Sequence, residues 1–535
     1  MLRSGLMLQS PAFLLLLGAN LVLFAYHQLD PTQPHQLDPS SLLEQVGLHR
    51  PVSLHRPTSS SPDLADEGAA SPADAAVLRK NNKQARPFSS GRTHNAPGLI
   101  SSTERHAAIA LKHQQATQTC EVCVATPNDP LCEYGLDNVR LSRAYQGSGH
   151  RVRKMLEKAL RGEKIRIGVI GGSVSTGHGL RPGQDTWHAR WFKEFQKEFP
   201  NSELFNGALP ASGSGFFMWC YPALIPEDLD IYLVEVDVNN EGDAKNQLDD
   251  DSLHRAILNL PQEPALIRLT VVATSFPDLS RGFTSNLAMS SYFDTPIISV
   301  RNFLLPHFIA HPEAGEAFFG YFPDGRLDYR HMAQLGHAAL GDMLSLYIKE
   351  QTCETRRRQA HAIALPTSRW PQADILGMVP RLYLWEPYSA SKVAAPVHPA
   401  CAFTGSERSP LSPLEEHTSP SWTRVDWNGK AAYHSNEVGS RVSFGFNGNK
   451  IGMFVYQSSG AGHAEKPGRL SCWIDELVEG QQTLVDAWWP HPIAQPLFHL
   501  VKENLKTGPH ILHCEILGDS STDGHEVRIV GVASQ

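Results

Sequence analysis

Residues 165–179 read Ile165-Arg-Ile-Gly-Val-Ile-Gly-Gly-Ser173-Val-Ser-Thr-Gly177-His-Gly179. The apolar run 165–170 has the length of a short buried strand, and the glycines after it turn the chain tightly toward a following helix. Such a turn suits three kinds of chemistry. It can hold a phosphate on the N–H groups of a helix start, form the first turn of a dinucleotide fold, or expose a serine nucleophile beside free backbone N–H groups. A dinucleotide site wants Gly-x-Gly-x-x-Gly and an acidic residue at the end of the second strand, which here ends in Asn206-Gly-Ala-Leu-Pro210. A phosphate loop wants a lysine directly after its last glycine, and none follows Gly177. The loop alone favours Ser173 as a nucleophile, with phosphate binding and tight packing still open.

Outward from this turn the pattern alternates. Residues 151–160 place Val152, Met155, Leu156 and Leu160 on one helical face, and Trp187, Trp191, Phe195 and Phe199 recur at steps of four, an aromatic stripe that reads as core packing. Strand signals follow at Glu203-Leu-Phe-Asn206, at residues 229–236, at residues 266–275 and at Pro296-Ile-Ile-Ser-Val300, with helices over 253–260 and 333–348. Strands alternating with helices indicate an α/β fold, a doubly wound parallel sheet covered on both faces. Ligands of such sheets sit beyond the carboxyl ends of the strands. From about residue 419 the period changes to short strands parted by turns such as Asn447-Gly-Asn449, which predicts an all-β sandwich.

The loops after the other strands supply what an acyl-transfer serine needs. Asp328-Tyr-Arg-His331 precedes the last helix, and its spacing lets the Asp328 carboxylate accept from His331 Nδ1 so that Nε2 faces the serine as general base. After the third strand comes Glu235-Val-Asp-Val-Asn239-Asn240, where a side-chain amide can donate to an oxyanion. His178 and His337 read as structural, one on the rim of the site and one bonding a loop.

Taken in order, these pieces resemble the four blocks of the SGNH hydrolases, in a version similar to fungal and algal members. Gly172-Ser173 with Ser175 resembles the nucleophile block, and Asn206 to Gly215 the block that donates a backbone N–H. Val238-Asn239-Asn240 resembles the Gly-x-Asn-Asp block and Asp328-x-x-His331 the Asp-x-x-His block. The sequence departs from the pattern at Gly172, Asn240 and Met332, where the family often has an acidic residue, Asp and Pro. The resemblance implies a flavodoxin-like SGNH sheet and a triad of Ser173, His331 and Asp328. It implies an oxyanion site made by Ser173, Asn239 and either Ala211, by register, or Gly213, by residue type. The implied activity is hydrolysis or transfer of an acyl ester, acetyl by family habit, on carbohydrate, with neither cofactor nor metal. The competing reading is a non-catalytic glycan-binding or scaffold protein that keeps an esterase-like fold. In the sandwich, the strand around Gly508-Pro-His510 resembles galactose-binding-like jelly rolls, and Trp473, Trp488 and Trp489 suit either core packing or a sugar platform.

At 535 residues the chain is long enough for two domains. The expected division is a signal anchor or cleaved signal peptide over 1–26, a disordered stem over 27–110, the α/β domain over 111–352, a connector over 353–418 and the sandwich over 419–535. Residues 6–26 are almost uncharged and apolar, which directs the rest of the chain into the secretory pathway, on a membrane, lumenal or cell-surface, or secreted. Net charge is −8, from 47 Lys+Arg against 55 Asp+Glu, with no basic run, so nucleic acid is not an expected partner. Eight cysteines suit disulfides in that compartment. Cys120-x-x-Cys123 with Cys132 also admits part of a zinc site, but no second ligand pair stands near it, and Cys472 and Cys514 lie on neighbouring strand candidates.

Overall fold

The computed structural model describes residues 119–535 save 241–242, 277, 282–285, 362–375, 428–429, 462–464 and 491–493. The apolar segment 6–26 and the stem expected to residue 110 lie outside them. No helix among the described residues is long and apolar enough to cross a membrane.

Six strands make the central sheet: β1 (Arg143–Tyr145), β2 (Ile165–Gly171), β3 (Ser202–Asn206), β4 (Ile231–Glu235), β5 (Ala265–Thr270) and β6 (Ile297–Ser299), in the order β1-β6-β5-β4-β2-β3. β2 to β6 are parallel, as the alternating pattern predicts, and β1 adds an antiparallel edge. β4 and β5 are buried along their whole length, because helices cover both faces.

On one face lie α1 (His150–Leu160) and α2 (Trp187–Glu198). Trp187, Trp191 and Phe195 of α2 and the following Phe199 are buried in one core with Ile167, Val169, Ile231 and Ile267 of the sheet, so the aromatic stripe is packing. The other face is covered by α3 (Ser214–Leu224), α4 (Ala244–Leu258) and α5 (Asn286–Phe293). After α6 (Arg301–Ala310), a two-stranded hairpin of β7 (Phe319–Tyr321) and β8 (Leu327–Met332) precedes the last helix, α7 (Gln334–His361). Asp328 and His331 thus stand on a strand rather than a loop. α7 runs past residue 352, and Cys353 within it is bonded to Cys120; Cys123 pairs with Cys132. The cysteines that admit a zinc reading are therefore disulfides, and residues 353–361 continue the α/β domain.

The second domain stacks two antiparallel sheets. One comprises β9 (Ala400–Phe403), β10 (Thr423–Trp427), β11 (Lys430–Ser435), β13 (Ile451–Gln457), β16 (Gln495–Lys502) and β18 (Val527–Ser534). The other orders as β12 (Arg441–Gly448), β17 (Gly508–Ile516), β14 (Arg469–Ile474) and β15 (Thr483–Asp486). Val442, Phe444, Met453, Val455, Leu470 and Leu512 fill the space between them. Cys472 and Cys514 face each other across β14 and β17 and are bonded. β9 lies well before residue 419, so this domain takes a strand from the expected connector.

All described residues belong to one compact unit, and the core around α3 is shared by both domains. It contains Phe217, Tyr221 and Tyr232 of the α/β domain together with Phe403, Phe454 and Val530 of the sandwich. The fourth disulfide, Cys220–Cys401, joins α3 to β9.

Candidate active site

Ser173 stands half-buried in the turn that leaves β2, at the carboxyl edge of the sheet. Two glycines make room for what surrounds it. A Cβ on Gly171 would lie 2.2 Å from Ser175 Oγ, and one on Gly172 would lie 2.1 Å from Asn239 Nδ2. At residue 172 the Asn239 amide thus occupies the place a side chain would take. Further along the loop, Gly179 at φ +91° passes so close to β8 that a Cβ would meet the Met332 carbonyl oxygen at 2.4 Å. This approach brings the serine loop against the strand that carries the histidine.

His331 Nε2 lies 2.8 Å from Ser173 Oγ, and His331 Nδ1 lies 2.5 Å from Asp328 Oδ2. The other Asp328 oxygen accepts from the Arg330 N–H at 3.0 Å, so the carboxylate is held at both ends while only 6% exposed. The three groups form one hydrogen-bonded line from carboxylate to hydroxyl. His178 lies beside it, its ring edge-on to His331 at 5.2 Å. Burial first, then the neighbouring His331, holds His178 below the ordinary imidazole value. His337 is fully buried and accepts from the Trp187 N–H at 3.1 Å; burial pushes it down to about 3, so it remains a neutral structural acceptor.

Asn239 closes a single helical turn, Asp237–Asn239, after β4. Its amide donates to the Ser212 carbonyl at 2.9 Å and lies beside the Ser173 turn. Ala211, at φ +59°, and Gly213 lie on either side of Ser212. Gly213 packs against the next residue of the third block: a Cβ there would lie 2.6 Å from Asn240 Oδ1. The same oxygen accepts from the Ser214 N–H at 2.9 Å and hydroxyl at 3.1 Å, so Asn240 caps the start of α3 and pins the loop that carries Ala211 and Gly213. Ala211, Gly213 and Asn239 line one cleft.

In fold the chain is similar to a two-domain esterase. It aligns with the crystal structure of a two-domain esterase (CEX) active on acetylated mannans, co-crystallised with mannopentaose, at a TM-score of 0.52 and 14% identity, over 74% of this chain and 97% of that one. A second structure of such an esterase gives a TM-score of 0.53 at 14% identity over 74% and 98% of the two chains. A GDSL-like lipase from Parabacteroides merdae aligns at a TM-score of 0.29 and 11% identity, over 36% of this chain and 96% of its own. No protein-family model matches the sequence, and no curated protein matches it significantly.

Beneath the site of this esterase-like fold lie two buried polar groupings that sequence patterns did not single out. The first is Glu235, fully buried at the end of β4. Ser175 Oγ donates to its Oε2 at 2.8 Å and itself accepts from Trp187 Nε1 at 3.0 Å. Burial pushes this carboxyl up to about 8, against the hydrogen bond from Ser175 and with help from nearby Asp237, so it is protonated at neutral pH. The second serine of Gly-Gly-Ser-x-Ser was its only trace in the sequence.

The second grouping supports the Asn239 turn. Arg268 of β5, fully buried, bonds both oxygens of Asp250 at 2.7 Å and also pairs with Asp237, which receives Thr270 Oγ1 at 3.0 Å and Asn286 Nδ2 at 2.8 Å. Burial opposes the charge on Arg268, but the two aspartates outweigh it and hold the guanidinium above its ordinary value. Among the described residues, a further group of possible metal ligands, His434, Glu465 and Glu526, lies in the sandwich, where Arg528 and Asn436 already bond the two glutamates.

Proposed function

We propose that the chain is a serine esterase that removes acyl groups, acetyl being the simplest, from carbohydrate, with Ser173 as nucleophile, His331 as general base and Asp328 as its orienting carboxylate. The observation that carries this reading is the unbroken line Asp328 Oδ2, His331 Nδ1, His331 Nε2, Ser173 Oγ, with contacts of 2.5 and 2.8 Å, beside the Asn239 amide. Ser173 Oγ attacks the ester carbonyl while His331 Nε2 takes the hydroxyl proton. The charge that develops on the carbonyl oxygen is met by the Asn239 amide and the N–H groups of Ser173 and of Ala211 or Gly213. Collapse breaks the bond to the sugar oxygen, which leaves with the proton from His331. Water then gives its proton to His331 and attacks the acyl-enzyme, releasing the carboxylic acid; a sugar hydroxyl in place of water gives transfer.

An acylated polysaccharide is the substrate class we carry over from the two-domain esterase, which acts on acetylated mannans. Four disulfides support a site that works in an oxidising compartment, reached through the apolar segment 6–26 as signal or anchor. The test is Ser173→Ala. Turnover of 4-nitrophenyl acetate and labelling by a fluorophosphonate probe should both vanish while circular dichroism is unchanged; turnover at the wild-type rate would sink the assignment.

A further inference from the structure

The helix that follows the donor loop, α3, is the one on which the sandwich rests. Trp219 stacks on Phe498 of β16 at 4.9 Å, and Phe216 meets Phe403 and Phe454 edge-on at 5.3 and 5.0 Å. Cys220–Cys401 adds a covalent tie. This clamp leaves a cleft of about 300 Å³ between the domains, within the range of small-ligand sites. Gly213, Asn239 and Asn240 line one side, and Trp489, Gln495 and His499 line the other. The sandwich therefore walls the space that begins at the oxyanion donors.

The chemistry of the walls selects an occupant. Asn240 Nδ2 and His499 Nε2 are buried in this cleft with no partner among the described residues, and Asn240 is 3% exposed. Burying polar atoms unpaired is unfavourable unless something pairs them at another stage. Burial, and then Lys245, pushes His499 down to about 4, so at neutral pH it is an uncharged imidazole. The charged groups at the mouth are already engaged: Lys245 with Asp249 at 3.1 Å, and Asp243 capping α4 through the Asn246 N–H at 2.7 Å. Amides, a neutral imidazole and an indole fit a ligand that both donates and accepts and has an apolar ring face. An uncharged sugar does both.

We propose that this interdomain cleft is a sugar subsite of the esterase, in which a uncharged glycosyl unit next to the acylated one lies between Asn240 and the sandwich and stacks on Trp489. The inference rests on the esterase reading and extends it: the sandwich is part of the substrate site rather than a detached targeting module. It is tested with full-length Trp489→Ala and Gln495→Ala, the second removing no ring, each compared with wild type by thermal unfolding. The readout is kcat/KM on acetylated manno- or xylo-oligosaccharide, whichever wild type turns over faster, divided by kcat/KM on 4-nitrophenyl acetate. Wild type should prefer the oligosaccharide to the corresponding acetylated monosaccharide. Trp489→Ala should lower the ratio about 5- to 10-fold, through KM, and Gln495→Ala should lower it less. A ratio that neither variant changes, or a wild type that gains nothing from the longer chain, overturns the subsite alone. Absence of 4-nitrophenyl acetate turnover by wild type would instead sink the esterase reading on which it rests.

Discussion

Replacing Glu235 with glutamine isolates the buried carboxyl under the nucleophile loop, and its effect on stability depends on pH in a way that can be worked out beforehand. The carboxyl is fully buried and sits at about 8 against an ordinary 4.5. A group raised on folding favours the folded state fully below its unfolded value and loses that advantage as pH rises toward its folded value. For Glu235 the loss begins near pH 4.5 and is complete above about pH 8. Its full size is roughly 5 kcal/mol, of which about 4 falls between pH 5 and pH 9. Glutamine copies the protonated carboxyl in shape, keeps an oxygen for the Ser175 hydroxyl and does not titrate. Guanidinium unfolding of wild type and Glu235→Gln at pH 5, 6, 7, 8 and 9 should therefore give difference curves that rise in favour of the variant. The variant should unfold within about 1 kcal/mol of wild type at pH 5 and be the more stable protein at pH 9. Other titrating groups are common to both chains and cancel in the difference. Parallel curves, with a constant offset across this range, would refute the argument, because they would mean that Glu235 is ionised in the folded protein at neutral pH.

Two further substitutions probe the ground on which the donors stand. Gly172→Ala places a Cβ where the Asn239 amide lies, at 2.1 Å, so the amide must move; kcat on 4-nitrophenyl acetate should fall about 10²- to 10³-fold, and a kcat within a factor of two of wild type would remove Asn239 from the oxyanion site. Arg268→Met leaves Asp237 and Asp250 buried without their shared cation, which should cost about 3 to 5 kcal/mol in guanidinium unfolding; a loss under about 1 kcal/mol would show that the carboxyls do not depend on it.

How far the sequence discloses this protein depends on whether a feature is local. The parallel order of β2 to β6 follows from alternating apolar strands and helices, and the helix of Trp187, Trp191 and Phe195 follows from its period of four. Ser173, His331, Asp328 and Asn239 were legible because each stands in a short motif on or just after a strand, and the structure brings the four together. Asp328 and His331 read as a loop because three residues of charged and aromatic character, Asp328-Tyr-Arg330, hide the short strand β8, whose partner β7 is only three residues long. Asp237, Arg268 and Asp250 carry no motif at all. Their pairing joins the turn after β4, β5 and α4, and nothing in the local pattern tells a buried charge from a surface one.

The placement of the sandwich has the same non-local origin, yet one trace of it was present. Ser214-Gly-Phe-Phe-Met-Trp-Cys-Tyr-Pro-Ala-Leu224 is apolar on every side, and a helix on the surface of a lone α/β domain would keep one polar face. Tyr221 meets Tyr232 of β4 edge-on at 5.9 Å, while Phe216 and Trp219 are buried against Phe403 of β9, Phe454 of β13 and Phe498 of β16. The outward face of α3 thus states that a second body rests there, although not which one. Since α3 begins at the loop that carries Gly213, whatever fixes the helix also fixes that loop. The disulfide from Cys220 and the stacked rings therefore bear, through α3, on the loop that carries Gly213, beside Asn239 and the turn of Ser173.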